Sequence, residues 1–276
     1  MSGPATFELH GSHIVAGTGQ LDACGPAVRA ALGARRLCLI SDDTVAPLWA
    51  PRLAAALGDP GIPVLTIPAG EASKTRKQWS RLTDELLDAG FGRDSAILAL
   101  GGGVVGDLAG FVAATYLRGI PFVQVPTSLL AMIDASIGGK TGVDTRAGKN
   151  LVGAFHHPAL VVADPLALAT LPLEQLRNGL AEAAKHAVIS GPDEFAWLAA
   201  HADELTRGGG AARAHTERLV QRHIAIKHQI VSRDEREDGL RKVLHLNIPA
   251  GDSPGDQIAQ GIGTGGHNAD DLPDPA

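Results

Sequence analysis

The chain has 276 residues, 45% of them hydrophobic, and a formal net charge of −6, so it can bury one large core or two smaller ones. Its charges are dispersed rather than run together, which leaves no electrostatic footprint for nucleic acid or an anionic membrane. The longest apolar region is broken by glycines, Asp107 and Arg118, and the first residues carry Glu8 with no basic-then-apolar order, so neither a membrane span nor a signal peptide is expected. Cys24 and Cys38 read as buried thiols of a reducing compartment, and the expected location is the cytoplasm.

In chain order, Phe7–Ala16 reads as an antiparallel hairpin pivoting near Gly11-Ser12. Strand-like runs follow at Arg36–Ser41, Pro63–Ile67, Ser95–Leu100, Phe122–Val125 and Leu160–Ala163. Helical patterns lie between them at Gln20–Leu32, Ala46–Leu57, Arg76–Ala89 and Leu108–Leu117. This alternation predicts right-handed βαβ units and a Rossmann-like, doubly wound, mostly parallel sheet over residues 1–171. After Pro172 the pattern is helical throughout, at Leu173–Ile189, Glu194–Leu205 and Ala211–Val231, which predicts an all-helical second domain over 172–247. Residues 248–276 are rich in Gly, Asp and Pro with few apolar anchors and read as a disordered tail.

The most informative local feature is Gly101-Gly102-Gly103-Val104-Val105-Gly106-Asp107, between a strand and a helix. Such a turn lets a diphosphate approach the backbone, and the free N–H groups of the helix start point at it. The glycines fit G-x-G-x-x-G, yet no acidic residue follows about 20 positions on, as the usual dinucleotide fingerprint requires. Other strand ends carry polar groups toward the same crevice. Asp42 is positioned for a ribose hydroxyl, with a plain turn role or Asp43 as alternatives. Glu71 and Lys74 follow the next strand, and Thr127-Ser128 either face the nucleotide or cap the helix Leu129–Ile133.

Only 7 of the 24 basic residues are lysine, and Lys74, Lys140, Lys149, Lys185 and Lys227 fall in or beside these segments. A compact ammonium suits phosphate. Residues 134–150, with Asp134, Lys140 and Lys149, read as a glycine-punctuated loop able to wrap a phosphorylated substrate. The triphosphatase motif suggested by Gly139-Lys140-Thr141 fails, because its first glycine falls on Asp134. Glu182 and Lys185 share a helical face, in the simplest case as a solvent-exposed ion pair, while His186 is expected to point elsewhere.

The ordered series Gly70-Glu71-x-x-Lys74, Gly101 to Arg118, Pro126-Thr127-Ser128, Asp134, Gly138 to Gly142, Gly148-Lys149-Asn150, Gly179-Leu180-Ala181-Glu182, Asp234 to Glu237 and Arg241 closely resembles 3-dehydroquinate synthase. The resemblance implies a lyase of the shikimate pathway, dependent on NAD and on a divalent metal, zinc or cobalt, that converts 3-deoxy-D-arabino-heptulosonate 7-phosphate to 3-dehydroquinate as a homodimer. It assigns the cofactor to Asp42, Glu71, Lys74, Gly103, Val104, Val105, Gly106, Asp107, Thr127, Ser128, Lys140, Lys149 and Thr170. It assigns the substrate phosphate to Arg118, Lys140 and Asn150, with Arg118 reaching across a dimer interface. Catalytic contacts to hydroxyls and carboxylate fall to Asp134, Lys140, Lys185, Lys227 and Arg241, and metal ligation to Glu182. Other sugar-phosphate cyclases, an NAD-linked polyol dehydrogenase and an inactive nucleotide-binding protein are the alternatives.

The resemblance stops after Asn247. Where such enzymes continue with two Gly-His pairs and, further on, His-Gly-Glu, the first Gly-His histidine and the His-Gly-Glu histidine completing the metal site, this chain has Ile248 and Asp252 at the two Gly-His histidine positions and no His-Gly-Glu, with His245 and His267 nearby in sequence. Truncation or a frame change near residue 245 is the simplest reading of that departure, and impaired activity is the expectation that follows from it.

Overall fold

The structure is a computed structural model that describes residues 3–207 and 210–235. The expectations for Arg236, Glu237, Arg241, His245, Ile248, Asp252, His267 and the tail lie outside the described residues. The described residues belong to one unit.

Strands β1 (Ala5–Leu9) and β2 (Ser12–Ala16) form the expected hairpin. It turns at His10-Gly11, where φ is 47° and 83°. Two successive positive values suit a two-residue turn whose twist matches that of its strands. The segment expected as one helix is broken at Cys24 into α1 (Gln20–Ala23) and α2 (Gly25–Leu32), because Pro26 favours a fresh first turn. Then come β3 (Arg36–Asp42), α3 (Ala46–Leu57), β4 (Val64–Ile67), α4 (Arg76–Asp88), β5 (Ser95–Gly101), α5 (Gly103–Thr115) and β6 (Phe122–Pro126). Helix α5 begins five residues earlier than its apolar period suggested, since the glycine turn passes directly into it.

The reading of residues 134–150 as a loop is corrected. A π-turn spans Ala131–Ala135, and β7 (Lys140–Thr145) pairs antiparallel with β8 (Gly148–Phe155). Gly142 and Gly153 oppose each other in that ribbon, and a Cβ on Gly153 would lie 2.1 Å from the Thr141 carbonyl oxygen. Of the glycines that suggested a loop, Gly142 serves close strand approach, while Gly138 and Gly139, at φ 106° and 66°, turn the chain into β7. After β9 (Leu160–Ala163) come α6 (Leu173–Ser190), α7 (Pro192–Arg207) and α8 (Gly210–Val231).

The main sheet runs β1-β2-β9-β6-β5-β3-β4, and all its pairings except β1 with β2 are parallel. From β3 the chain moves outward to β4, then jumps back across β3 to β5 and continues to β6. The order therefore reverses between β3 and β5, the switch point beside which doubly wound sheets open a crevice at their carboxyl ends. Helix α5 is apolar all round, as a helix buried on every side must be, with Val105, Leu108, Ala109, Val112 and Ala113 buried. Helices α6 and α8 join the sheet through a shared apolar cluster in which Leu129, Met132 and Ile133 meet Ala183, Ala187, Val220 and Ile224.

Gly106 and Gly110 face this packing. A Cβ on Gly106 would lie 2.8 Å from Gln124 Oε1, and one on Gly110 would lie 2.5 Å from Thr141 Cγ2 and 3.2 Å from the Phe122 ring. Gly110→Ala should therefore destabilise the protein by about 1–3 kcal/mol through overpacking, despite a helix-propensity gain of about 1 kcal/mol. Urea unfolding checks this; a variant as stable as the parent would mean that α5 is not held so close.

Candidate active site

The parallel register brings the polar strand ends to one edge. Asp42 lies opposite Ile67, Ser41 opposite Leu100, and Gly101 opposite Pro126, so Asp42, Gly70-Glu71, Gly101-Gly102 and Thr127-Ser128 leave the sheet side by side. Asp42 Oδ1 accepts the N–H groups of Thr44 and Val45 at 3.0 and 2.8 Å, which fixes the carboxylate at the start of α3. Asp43 instead accepts from Ala69 N at 2.9 Å. Thr127 N donates to the Gly101 carbonyl at 2.9 Å, locking the β6 end to the glycine turn. Ser128 Oγ accepts from Ala131 N at 3.3 Å, which is the capping role weighed above.

The glycines of the turn are not equivalent. A Cβ on Gly101 would strike Val105 at 2.6 Å, so the fold itself demands that glycine. At Gly102 and Gly103 a Cβ would meet only Ser128 Oγ at 3.5 Å and Ala135 Cβ at 3.4 Å, and neither residue has positive φ. The protein's own packing does not require glycine at these two positions. They open the N-terminus of α5 to something outside the chain.

Beside the turn, Lys74 Nζ meets Asp107 Oδ2 at 2.5 Å, both largely buried. Burial pushes the Asp107 carboxyl up to about 6; Lys74 opposes that rise, and the negative Asp134 and Glu71 add to it. Lys149 pairs with Glu71 at 3.1 Å in solvent, a contact worth little energetically. It nevertheless brings the β7–β8 ribbon to the β4 end, where the Lys74 carbonyl also accepts the Asp144 N–H at 2.8 Å.

The second half of the site is walled by α6 and α8. Lys227 Nζ on α8 contacts Asp134 Oδ1 on the π-turn at 2.5 Å. Lys185 Nζ contacts Glu182 Oε1 at 2.6 Å, and this pair is mostly buried rather than solvent-exposed. Burial works to raise the Asp134 carboxyl, but Lys227, His186 and Lys185 outweigh it and hold the group below its usual range. His186 is corrected: it does not point away. One helical turn after Glu182, its Nε2 lies 3.3 Å from Glu182 Oε1 in a fully buried position. Donor atoms of Asp134, Glu182 and His186 lie within 4.8 Å of one another, in a set of types able to hold a divalent ion. His186 also stacks on His223 of α8, with ring centroids 5.6 Å apart. Burial, with His186, Arg222 and Arg218 adding to it, pushes the His223 imidazole down to about 3.

The remaining residues are more dispersed. Lys140 opens β7, and Asn150 on β8 is exposed at φ 58°, its N–H held by Asp144 Oδ1 at 2.9 Å. Thr170 Oγ1 accepts from Trp49 Nε1 at 2.9 Å, in the turn that precedes α6. Arg118 follows the C-terminal end of α5, exposed and at φ 70°. It is separated from Gly103 by a helix of 13 residues, about 20 Å, so the fold does not bring it to the glycine turn of its own chain. Gly103 and Ala135 link the two halves, since Ala135 follows Asp134 directly in sequence.

Polar strand ends at the switch point of a mostly parallel sheet, beside buried carboxylate–ammonium pairs on the flanking helices, define a doubly wound, Rossmann-like α/β fold. The family described as 3-dehydroquinate synthase N-terminal matches residues 64–178, and that described as 3-dehydroquinate synthase C-terminal matches 179–247. The chain belongs to the 3-dehydroquinate synthase family. It is 48% identical over 241 residues to the 3-dehydroquinate synthase of Symbiobacterium thermophilum, covering 86% of this chain and 66% of that protein. It is 47% identical over 232 residues to that of Rhodospirillum rubrum, covering 83% and 60%. Among solved structures it resembles 2-epi-5-epi-valiolone synthase from Streptomyces hygroscopicus subsp. jinggangensis, with NAD+ and Zn2+ bound (TM-score 0.73, 33% identity, 88% of this chain and 67% of that one). It also resembles a 2-deoxy-scyllo-inosose synthase complexed with carbaglucose-6-phosphate, NAD+ and Co2+ (TM-score 0.75, 27% identity, 87% and 66%). The chain thus spans 60–66% of the length of the two curated relatives.

Two buried groups titrate in opposite senses. Asp107 has a folded pKa of about 6 against 3.8 unperturbed, so the folded state binds the extra proton and stability falls as pH rises through that window. His223 has a folded pKa of about 3 against 6.5, so the unfolded state binds the extra proton and stability falls as pH drops through that window. The two slopes oppose each other between about pH 4 and 6. Relative to the parent, Asp107→Asn should make stability rise with pH there by about 1.4 kcal/mol per unit, and His223→Phe should make it fall by as much. Urea unfolding across pH checks both signs; parallel curves for all three proteins would refute the assignments.

Proposed function

We propose that the chain binds NAD at the carboxyl edge of the sheet and a phosphorylated sugar acid beside it, in the conversion of 3-deoxy-D-arabino-heptulosonate 7-phosphate to 3-dehydroquinate. The observation that carries this reading is the pair Gly102 and Gly103, glycines that the fold does not need, at the start of a buried helix. A diphosphate seated on those N–H groups explains them. Asp42, oriented by two backbone amides, is suited to a ribose hydroxyl at the neighbouring strand end. Glu71, Lys74, Val104, Val105, Gly106, Asp107, Thr127, Ser128, Lys149 and Thr170 complete the cofactor set. The choice of substrate follows the curated relatives of known name, which are nearer in sequence than the other cyclases.

When bound, NAD supplies a hydride acceptor that is regenerated within the turnover, and a divalent ion supplies Lewis acidity at a ring hydroxyl. Asp134, kept ionised by Lys227, is suited to accept the hydrogen bond of a substrate hydroxyl. Lys185 and Lys227 each present donors to hydroxyl or carboxylate oxygens, with Arg241 assigned to the same acid group. Lys140 and Asn150 hold the phosphate. Arg118, at the far end of α5, serves a phosphate bound by a second copy of the chain, which makes a homodimer part of the proposal.

Gly103→Val tests the nucleotide site. A Cβ there meets only Ala135 Cβ at 3.4 Å, so Gly103→Ala run alongside should keep the melting temperature, and NAD affinity by calorimetry should drop tenfold or more in the valine variant; equal affinity in a folded Gly103→Val protein would remove the assignment. Lys140→Met should weaken binding of the heptulosonate phosphate by about 1.5–3 kcal/mol, the range for a charge-assisted hydrogen bond, with unfolding unchanged. Because Ile248 stands where the resemblance places one metal-binding histidine, and the His-Gly-Glu that supplies the other does not follow, steady-state turnover by this chain should be weak. Turnover with one tightly held metal ion per chain at the level of a full-length relative would refute that expectation.

A further inference from the structure

His186 is the outstanding unexplained group. Its side chain is fully buried, and neither ring nitrogen makes a hydrogen bond. A buried polar atom left unsatisfied carries its full desolvation cost, and a leucine or phenylalanine would fill the space without it. Its Nε2 instead faces Glu182 Oε1 at 3.3 Å, with an Asp134 donor atom inside the same 4.8 Å cluster.

We propose that His186, together with Glu182 and Asp134, ligates a divalent cation of the zinc or cobalt class, so that the described residues carry an ion site of their own. The proposal rests on reading the site as metal-dependent, and it adds two ligands, His186 and Asp134, that neither the resemblance nor the relatives' descriptions assign to a metal.

The distances favour it. Bonds of about 2.0–2.1 Å to one tetrahedral ion put neighbouring donors about 3.3–3.4 Å apart, and the Glu182–His186 separation already has that value. The helix provides it directly, since residues four apart lie one above the other on α6. The ring of His223 stacks on His186 at an interplanar angle of 25° and sets its plane. One imidazole with two carboxylates is a donor set for borderline ions rather than for calcium or magnesium, which prefer oxygen alone. Lys185 shares Glu182 Oε1 at 2.6 Å, so the ion takes the place of that ammonium, which the flexible lysine stem allows.

The full chain, stripped of metal, is titrated with Co2+ while visible absorption is followed, because a low-coordinate site with a nitrogen donor gives intense ligand-field bands that hydrated Co2+ lacks. One equivalent should bind. His186→Phe keeps a ring against His223 but removes both nitrogens, and it should weaken binding tenfold or more; Glu182→Gln should do the same. His223→Phe, whose parent nitrogen faces Glu194 at 3.8 Å, should leave Co2+ affinity unchanged. Parent-like affinity in His186→Phe overturns the site, and so does failure of the parent to bind one equivalent. Should His186→Phe not fold, X-ray absorption at the cobalt edge of the parent decides: imidazole in the ligand shell supports the proposal, and an all-oxygen shell overturns it. NAD calorimetry on the same samples separates the two readings. Co2+ bound without NAD overturns the nucleotide reading and keeps the ion site, while NAD bound without Co2+ does the reverse.

Discussion

The closeness of α5 to the strands beside it is the constraint on which the rest depends. At Gly106 and Gly110 the helix has no side chain to hold it off Gln124, Phe122 and Thr141. A bulkier residue would move the whole helix, because the interior is too densely packed to absorb a methyl group locally. Three consequences follow from that seating. The helix N-terminus is pinned at the end of β5, level with the ends of β3 and β6. Asp107, one turn along, is brought within reach of Lys74. The ribbon β7–β8, whose Thr141 touches Gly110, is set against the β4 end, so that Lys149 meets Glu71.

The parallel sheet was legible from sequence because a strand buried on both faces leaves a plain signal: Ser95–Gly101 is buried at every position. Glycine was the ambiguous letter. At Gly142 and Gly153 it meant strand pairing, which a composition-based reading takes for a loop. At Gly101, Gly106 and Gly110 it meant packing, and at Gly102 and Gly103 neither. One-dimensional spacing cannot separate these causes, since each is set by an atom distant in sequence. The broken helix at Cys24 was written locally, in Pro26.

In the site, the resemblance named residues that the fold does gather: Glu71 with Lys149, Lys74 with Asp107, Asp134 with Lys227, Glu182 with Lys185. His186 was missed although its signal was present, for an i, i+4 spacing from Glu182 puts both on one face. The stack with His223 could not be read from the chain, because it depends on how α6 and α8 pack. Arg118 shows the converse: it belongs to the motif series, yet a helix of 13 residues separates it from the glycine turn of its own chain.

The buried ion pairs add little to stability, since desolvation offsets most of their attraction. Their value lies in unequal local balance. Asp107 faces one ammonium with two other carboxylates at longer range, and burial prevails, raising its pKa. Asp134 has the Lys227 ammonium in contact and Lys185 behind it, and they outweigh burial, lowering its pKa. The two carboxyls therefore shift in opposite senses, Asp107 upward by burial and Asp134 downward by its neighbouring ammonium groups. The N–H groups at the start of α5 lie at one end of this arrangement and the ammonium groups of Lys185 and Lys227 at the other, and packing fixes both. The close seating of α5 thus turns a packing constraint into electrostatic order.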